Sequence, residues 1–199
     1  MTDPFNNYTG VFQYFYHCKG EDLPIRDILD TQHKGHKTEP HYENLTENWC
    51  TKCMPGRIKS ANKRQVPYLF LMTRYDNPGH EVDGRRLVVG YLHRAKPEVF
   101  EKLNQTRRRG AHRYESRHPK RCGFFAGDDD SRFVAANHAY VLETTRNCRW
   151  KYWCDSKEGK KIVTRLKKHP NILEELRERA EELKKEPRQE GEKHATCRK

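Results

Sequence analysis

The chain is 199 residues long, with a net charge of +12, a pI near 9.4, 34% hydrophobic residues and 34% charged residues. That length fits a single domain with short appendages, and the charge predicts an anionic partner, nucleic acid first. No apolar run reaches the length of a membrane span, and the amino terminus "MTDPFNNYTGVF" lacks the apolar stretch of a secretory signal, so a soluble, cytoplasmic protein with no membrane partner is expected. Seven cysteines at irregular spacing argue against a closed disulfide framework.

In chain order, "GVFQYFYHC" (10–18) is aromatic and β-branched and predicts a strand. "DLPIRDILD" follows as a short helix or turn carrying Leu23, Ile25, Ile28 and Leu29. Residues 33–53, "HKGHKTEPHYENLTENWCTKC", are poor in apolar residues, and a loop of that length is uncommon in a compact domain unless it is functional or holds a metal. Cys50 and Cys53 have the spacing of a zinc knuckle, in which two thiolates on a tight turn reach one tetrahedral ion. The remaining ligands are expected from Cys18 and one histidine, taken as His36, with His33 and His41 as alternatives. No second close cysteine pair is present, and no general base stands at a known offset from a histidine pair, so a Zn²⁺ ion here would be structural. Two reduced thiols and solvated loop histidines are the plain alternative.

"VPYLFLMTRY" and "RLVVGYLHRA" predict two strands of a hairpin, buried on both faces over part of their length, around the turn signals of "DNPGHEVDGRR". Gly90 marks a bulge or a close backbone approach. "KPEVFEKLNQ" predicts a short helix opened by Pro97. The next fifteen residues, "RRRGAHRYESRHPKR" (107–121), predict a basic loop. Arg107, Arg108, Arg109, Arg113, Arg117, Lys120 and Arg121 are candidates to neutralise phosphates and release counterions, with His112 and Tyr114 interleaved for stacking. "CGFFAGDDDSRFVAANHAYVLE" predicts two strands around a turn at Gly127 to Ser131. Its three aspartates belong to that turn and lack the further carboxylate and lysine of a magnesium nuclease.

"RNCRWKYWC" sets Trp150, Tyr152 and Trp153 among Arg146, Arg149 and Lys151. Aromatic rings flanked by cations suit an unstacked base; core anchors are the alternative, and Trp49 beside Cys50 has the same two readings. Ile162, Val163 and Leu166 sit at helical spacing, Pro170 interrupts, and Asn171 with Glu174 matches a capping box. Leu173, Leu176, Ala180 and Leu183 then give an apolar stripe on a second helix packed on the sheet. The tail at 186–199 is expected to be disordered.

The central residues "YLFLMTR", "RRLVVGYLHRA" and "GFFAGDDDSRFVAANHAYVL" resemble the PUA-like superfamily, with its EVE, YTH and ASCH domains, over about residues 66–143. The resemblance implies a small bent β-barrel that binds RNA or modified DNA and takes a base into an aromatic pocket. The residues available to line it are Trp49, Trp150 and Trp153. The expected architecture is one α+β domain over 1–185: an amino-terminal strand and Cys/His-rich insertion (10–65), a partly closed β-barrel (66–155) and carboxy-terminal helices (156–185). The expected function is nucleic-acid binding, with recognition of an unpaired or modified base. Two alternatives stand beside it. One is a metal-dependent nuclease or hydrolase acting on nucleic acid, using His33, His36 and His41 with an acid from Glu39 to Glu47. The other is a zinc-stapled interaction module whose protein partner docks on the Leu173 to Leu183 helix.

Overall fold

The structure, a computed structural model, describes residues 7–16, 41–43, 45–50, 55–109, 123–143 and 153–185. Strand β1 (Tyr8–Tyr16) is rich in aromatic and β-branched residues, which fit a pleated, half-buried surface. It runs parallel to β4 (Tyr68–Arg74), with Phe12 beside Phe70 in the register. Parallel neighbours need a long crossover. Here that connection contains β2 (His41–Glu43), β3 (Glu47–Cys50) and helix α1 (Pro55–Lys63).

The hairpin expected from the sequence is present. β4 pairs antiparallel with β5 (Arg86–His93), and both are buried along most of their length. Tyr75, fully buried, anchors the start of the loop; its carbonyl accepts from Gly84 N–H at 2.7 Å. Asn77 N–H donates to Asp83 Oδ1 at 2.8 Å, and Gly79 and Gly84 take the positive φ that the turn requires. Gly90 fulfils both of its expected roles. The register slips between Leu71 and Met72 opposite Gly90 and Val88, which leaves Val89 bulged. A Cβ at Gly90 would stand 2.5 Å from the Arg132 carbonyl.

Helix α2 (Pro97–Arg109) follows, then β6 (Gly123–Ala126), β7 (Arg132–Phe133), the 3₁₀ turn Ala136–His138, β8 (Tyr140–Val141) and β9 (Trp153–Asp155). Helices α3 (Ser156–Lys167) and α4 (Leu173–Lys185) close the described chain. The main sheet has the order β7-β5-β4-β1-β9, with β8 also on β5, and a second sheet has the order β2-β3-β6. An isolated bridge, Arg94 to Gly127, links the end of β5 to the end of β6.

The protein is therefore mixed α/β, and its six-stranded sheet is not closed into a barrel. The strands on either side of the aspartate turn do not pair with each other: β6 joins β3, and β7 joins β5. A second difference concerns the arginines. Arg107, Arg108 and Arg109 continue α2 instead of opening a loop. Arginine has high helix propensity, and the helix is already anchored by Phe100 and Leu103, which pack against Ala95, Phe124 and Ala126. The remainder of the expected basic loop and the Cys/His segment at 17–40 and 51–54 lie outside the described residues, as does the expected disordered tail.

One large apolar cluster joins both faces of the fold. It contains Val11, Phe12, Leu69, Phe70, Leu71, Val88 and Tyr91 from the sheet, with Ile162, Leu166, Leu173 and Leu176 from α3 and α4. The two carboxy-terminal helices thus pack on the core, as their short apolar stripes predict. Burying a side chain such as Leu166 contributes about 1.5–3 kcal/mol.

Candidate nucleic-acid interface

Helix α3 begins where β9 ends. The Asp155 carboxylate accepts from Glu158 N–H at 2.8 Å and caps the first turn. Gly159, Ile162 and Leu166 form the buried side; a Cβ on Gly159 would collide with Thr9. Every three or four residues the opposite side returns, and there Lys157, Lys160, Lys161, Thr164, Arg165 and Lys168 line one shallow, open surface. All six are exposed. Among the described residues, none of these five cations forms an ion pair with an acid. The row from Lys157 to Lys168 covers about 16 Å of helix. A row of exposed cations of this length, on a helix anchored in the core, has the charge and spacing to suit a chain of phosphates.

At its carboxy-terminal end the row meets two histidines. The His169 ring stacks on His138, with centroids 4.2 Å apart and planes 9° from parallel. The His169 carbonyl accepts from Arg132 Nη1 at 2.6 Å.

A second polar cluster sits at the end of β5. His93 N–H donates to Ser131 Oγ at 3.1 Å, and its carbonyl accepts from Asp128 N–H at 2.9 Å. Its Nδ1 lies 2.8 Å from Asp128 Oδ2 and 3.9 Å from Asp130 Oδ2. Among the described residues these three form a group whose potential ligand atoms lie within 4.8 Å of one another. The expected aspartate turn is present, and one histidine ties it to the sheet. The Tyr68 ring lies 5.3 Å from His93; burial first, then the charges of Asp130 and Asp128, raise its pKa.

Arg94, one residue beyond β5, is a structural cation. Its Nε donates to the Val66 carbonyl at 2.8 Å, Nη1 to Asn62 Oδ1 at 3.0 Å and Nη2 to the Ala61 carbonyl at 3.0 Å. The guanidinium also lies over the Phe125 ring, 4.8 Å from its centroid. Burial lowers its pKa to about 10, so it stays charged at neutral pH while holding the end of α1.

The residues singled out from sequence are distributed unevenly. Arg107, Arg108 and Arg109 occupy the last positions of α2. Trp49 and Cys50 lie on β3, paired in register with Phe124 and Gly123 of β6, and Trp49 is also the register partner of His41 in the β2–β3 pair. Trp153, on edge strand β9, is half-buried; its ring lies 5.5 Å from Tyr8, and the Arg64 guanidinium is 5.9 Å above it. Arg113, Arg117, Lys120, Arg121, Arg149, Trp150, Cys18, His36 and Cys53 lie outside the described residues, as does His33. The cationic face of α3 was not among the expected sites. Its signal was nevertheless present: the period that places Ile162 and Leu166 inside places the lysines outside. Compared with known proteins, the chain matches no family model, no curated protein and no solved structure. Among the described residues, no helix is long and apolar enough to cross a membrane.

Proposed function

We propose that the protein is a cytoplasmic nucleic-acid-binding protein that holds a phosphate backbone along the cationic face of α3. The observation that carries this reading is the row Lys157, Lys160, Lys161, Arg165 and Lys168, exposed, unpaired and fixed on a helix whose other side is built into the core. The net charge of +12 supports it by attracting a polyanion at longer range. Each phosphate neutralised releases a counterion, so affinity falls by about 0.9 log units per contact for each tenfold rise in salt for a duplex. The arginines that close α2 and the basic residues after them would add to the same field.

The likeness to PUA-like domains extends the proposal to an unpaired or modified base. What supports that extension is the hairpin with its bulge at Gly90 and the Arg94–Gly127 bridge, which carries the edge of one sheet toward the other. Trp49, Trp150 and Trp153 are the rings that such recognition would use.

The test is fluorescence anisotropy with a labelled oligonucleotide of about 20 bases, single-stranded and duplex, over a range of salt concentrations. The comparison is with a variant carrying Lys160→Gln, Lys161→Gln and Arg165→Gln. Affinity at about 0.1 M salt should fall about a hundredfold, and the salt slope should become shallower by about 2–3 units. An unchanged slope, or no binding by the wild type at low salt, would overturn the reading.

A further inference from the structure

The cationic row ends on a pair of imidazoles that the phosphate-binding reading does not use. His169 follows Lys168 at the end of α3, and His138 comes from the 3₁₀ turn between β7 and β8. The two rings are brought together from separate elements and stacked nearly parallel at 4.2 Å. His169 is held in place through its backbone: its N–H donates to the Leu166 carbonyl at 3.3 Å, and its carbonyl accepts from Arg132 at 2.6 Å. Its Nε2 is shielded from solvent and has no hydrogen-bond partner.

The groups around the pair share one sign. Arg165 and Lys168 act on it from α3, Arg132 reaches the His169 carbonyl from β7, and the His138 ring stacks on it from the 3₁₀ turn. Burial, then His138, then the charges of Arg165 and Lys168 hold His169 below the ordinary histidine range. These causes favour the neutral imidazole in the free protein. Two of the residues that repel its proton, Arg165 and Lys168, are also residues of the cationic face.

We infer that docking of a phosphodiester chain on α3 is coupled to uptake of a proton by the His138–His169 pair. This inference rests on the proposed phosphate contact. Phosphates beside Arg165 and Lys168 neutralise the charges that disfavour the imidazolium and supply a negative potential that favours it. Reciprocity then requires that lowering the pH strengthens binding as much as binding raises the pair's pKa. Uptake is limited to about one proton, because two imidazolium rings at stacking distance repel each other.

The experiment uses the full chain and a single-stranded oligonucleotide of about 20 bases at constant ionic strength. Anisotropy between about pH 8 and pH 5.5 gives the pH dependence, and calorimetry in two buffers of different ionisation enthalpy counts the protons. Affinity should rise about three- to tenfold toward low pH, with uptake of up to about one proton near pH 6.5. The variant His169→Gln should lose most of that uptake while retaining the salt slope. NMR titration of the two imidazoles in the wild type, with and without oligonucleotide, gives a reading that does not depend on the variant folding; the pair's pKa should rise on binding. Salt-dependent binding with no shift in these resonances would overturn the coupling and leave the phosphate contact standing. Absence of salt-dependent binding would remove both.

Discussion

Helices α2 and α3 are both rich in cations, and they use them differently. In α2 the positive charge is concentrated in the consecutive residues Arg107, Arg108 and Arg109. Consecutive positions on a helix fall on different faces, so a dense run in the sequence does not make a dense surface. In α3 the cations are spread over twelve residues, and the helical period gathers five of them on one side. Anchoring follows the same division. α3 is sunk into the main core by Ile162 and Leu166 and capped by Asp155, whereas α2 rests through Phe100 and Leu103 on a small satellite cluster. A weakly clustered sequence on a well-anchored helix thus gathers five cations on one side.

The anchoring half of this comparison is the easiest to break. Leu166→Ala opens a cavity in the main core and should cost about 3 kcal/mol, whereas Leu103→Ala, at a half-buried position of α2, should cost about 1 kcal/mol. Denaturant titration of the two variants checks the difference, and equal costs would show that the satellite cluster is as important as the core. The next effect is smaller and lies on the side of α1 and α2. Arg94→Lys keeps the charge but loses the planar fork that reaches Val66, Asn62 and Ala61 together. It should cost about 2 kcal/mol, because the orphaned acceptors are partly buried. Hydrogen exchange should accelerate in α1 and at the start of α2 and remain unchanged in α3.

The sheet was largely legible because its signals are local. Aromatic and β-branched runs marked β1, β4 and β5, turn residues marked the hairpin, and Gly90 marked both the bulge and the close approach of Arg132. Asn171 was legible as a helix start, and it accepts from Leu173 N–H at 3.2 Å. Its second role was not: the same oxygen accepts from Phe133 N–H at 3.0 Å, joining α4 to β7 across 38 positions. The grip of His93 on Asp128 also spans distant positions, and no spacing rule anticipates it. The open sheet eluded the reading for a related reason, since strand order depends on which edges meet. The cationic face of α3 is a different case. It is encoded locally, in the complement of the apolar stripe of Ile162 and Leu166, while the densest run of cations in the sequence lies elsewhere, at 107–109.

The smallest effect separates the two properties that make α3 a surface: its order and its charge. Asp155 contributes to the first and opposes the second, since it caps the helix and carries a negative charge at the amino-terminal end of the row. Asp155→Ala removes the acceptor for Glu158 N–H and should cost about 1 kcal/mol. Asp155→Asn keeps an equally good cap and removes only the charge, so its stability should change by a few tenths of a kcal/mol. Oligonucleotide affinity should rise slightly in the Asn variant, because one repulsive charge is gone from the end of the row. In the Ala variant the same electrostatic gain is offset by fraying of the turn that carries Lys157. If both variants bind alike, first-turn order does not matter and the phosphate path is centred further along, on Lys161, Arg165 and Lys168. If only the Asn variant gains, the path begins at the first turn of the helix.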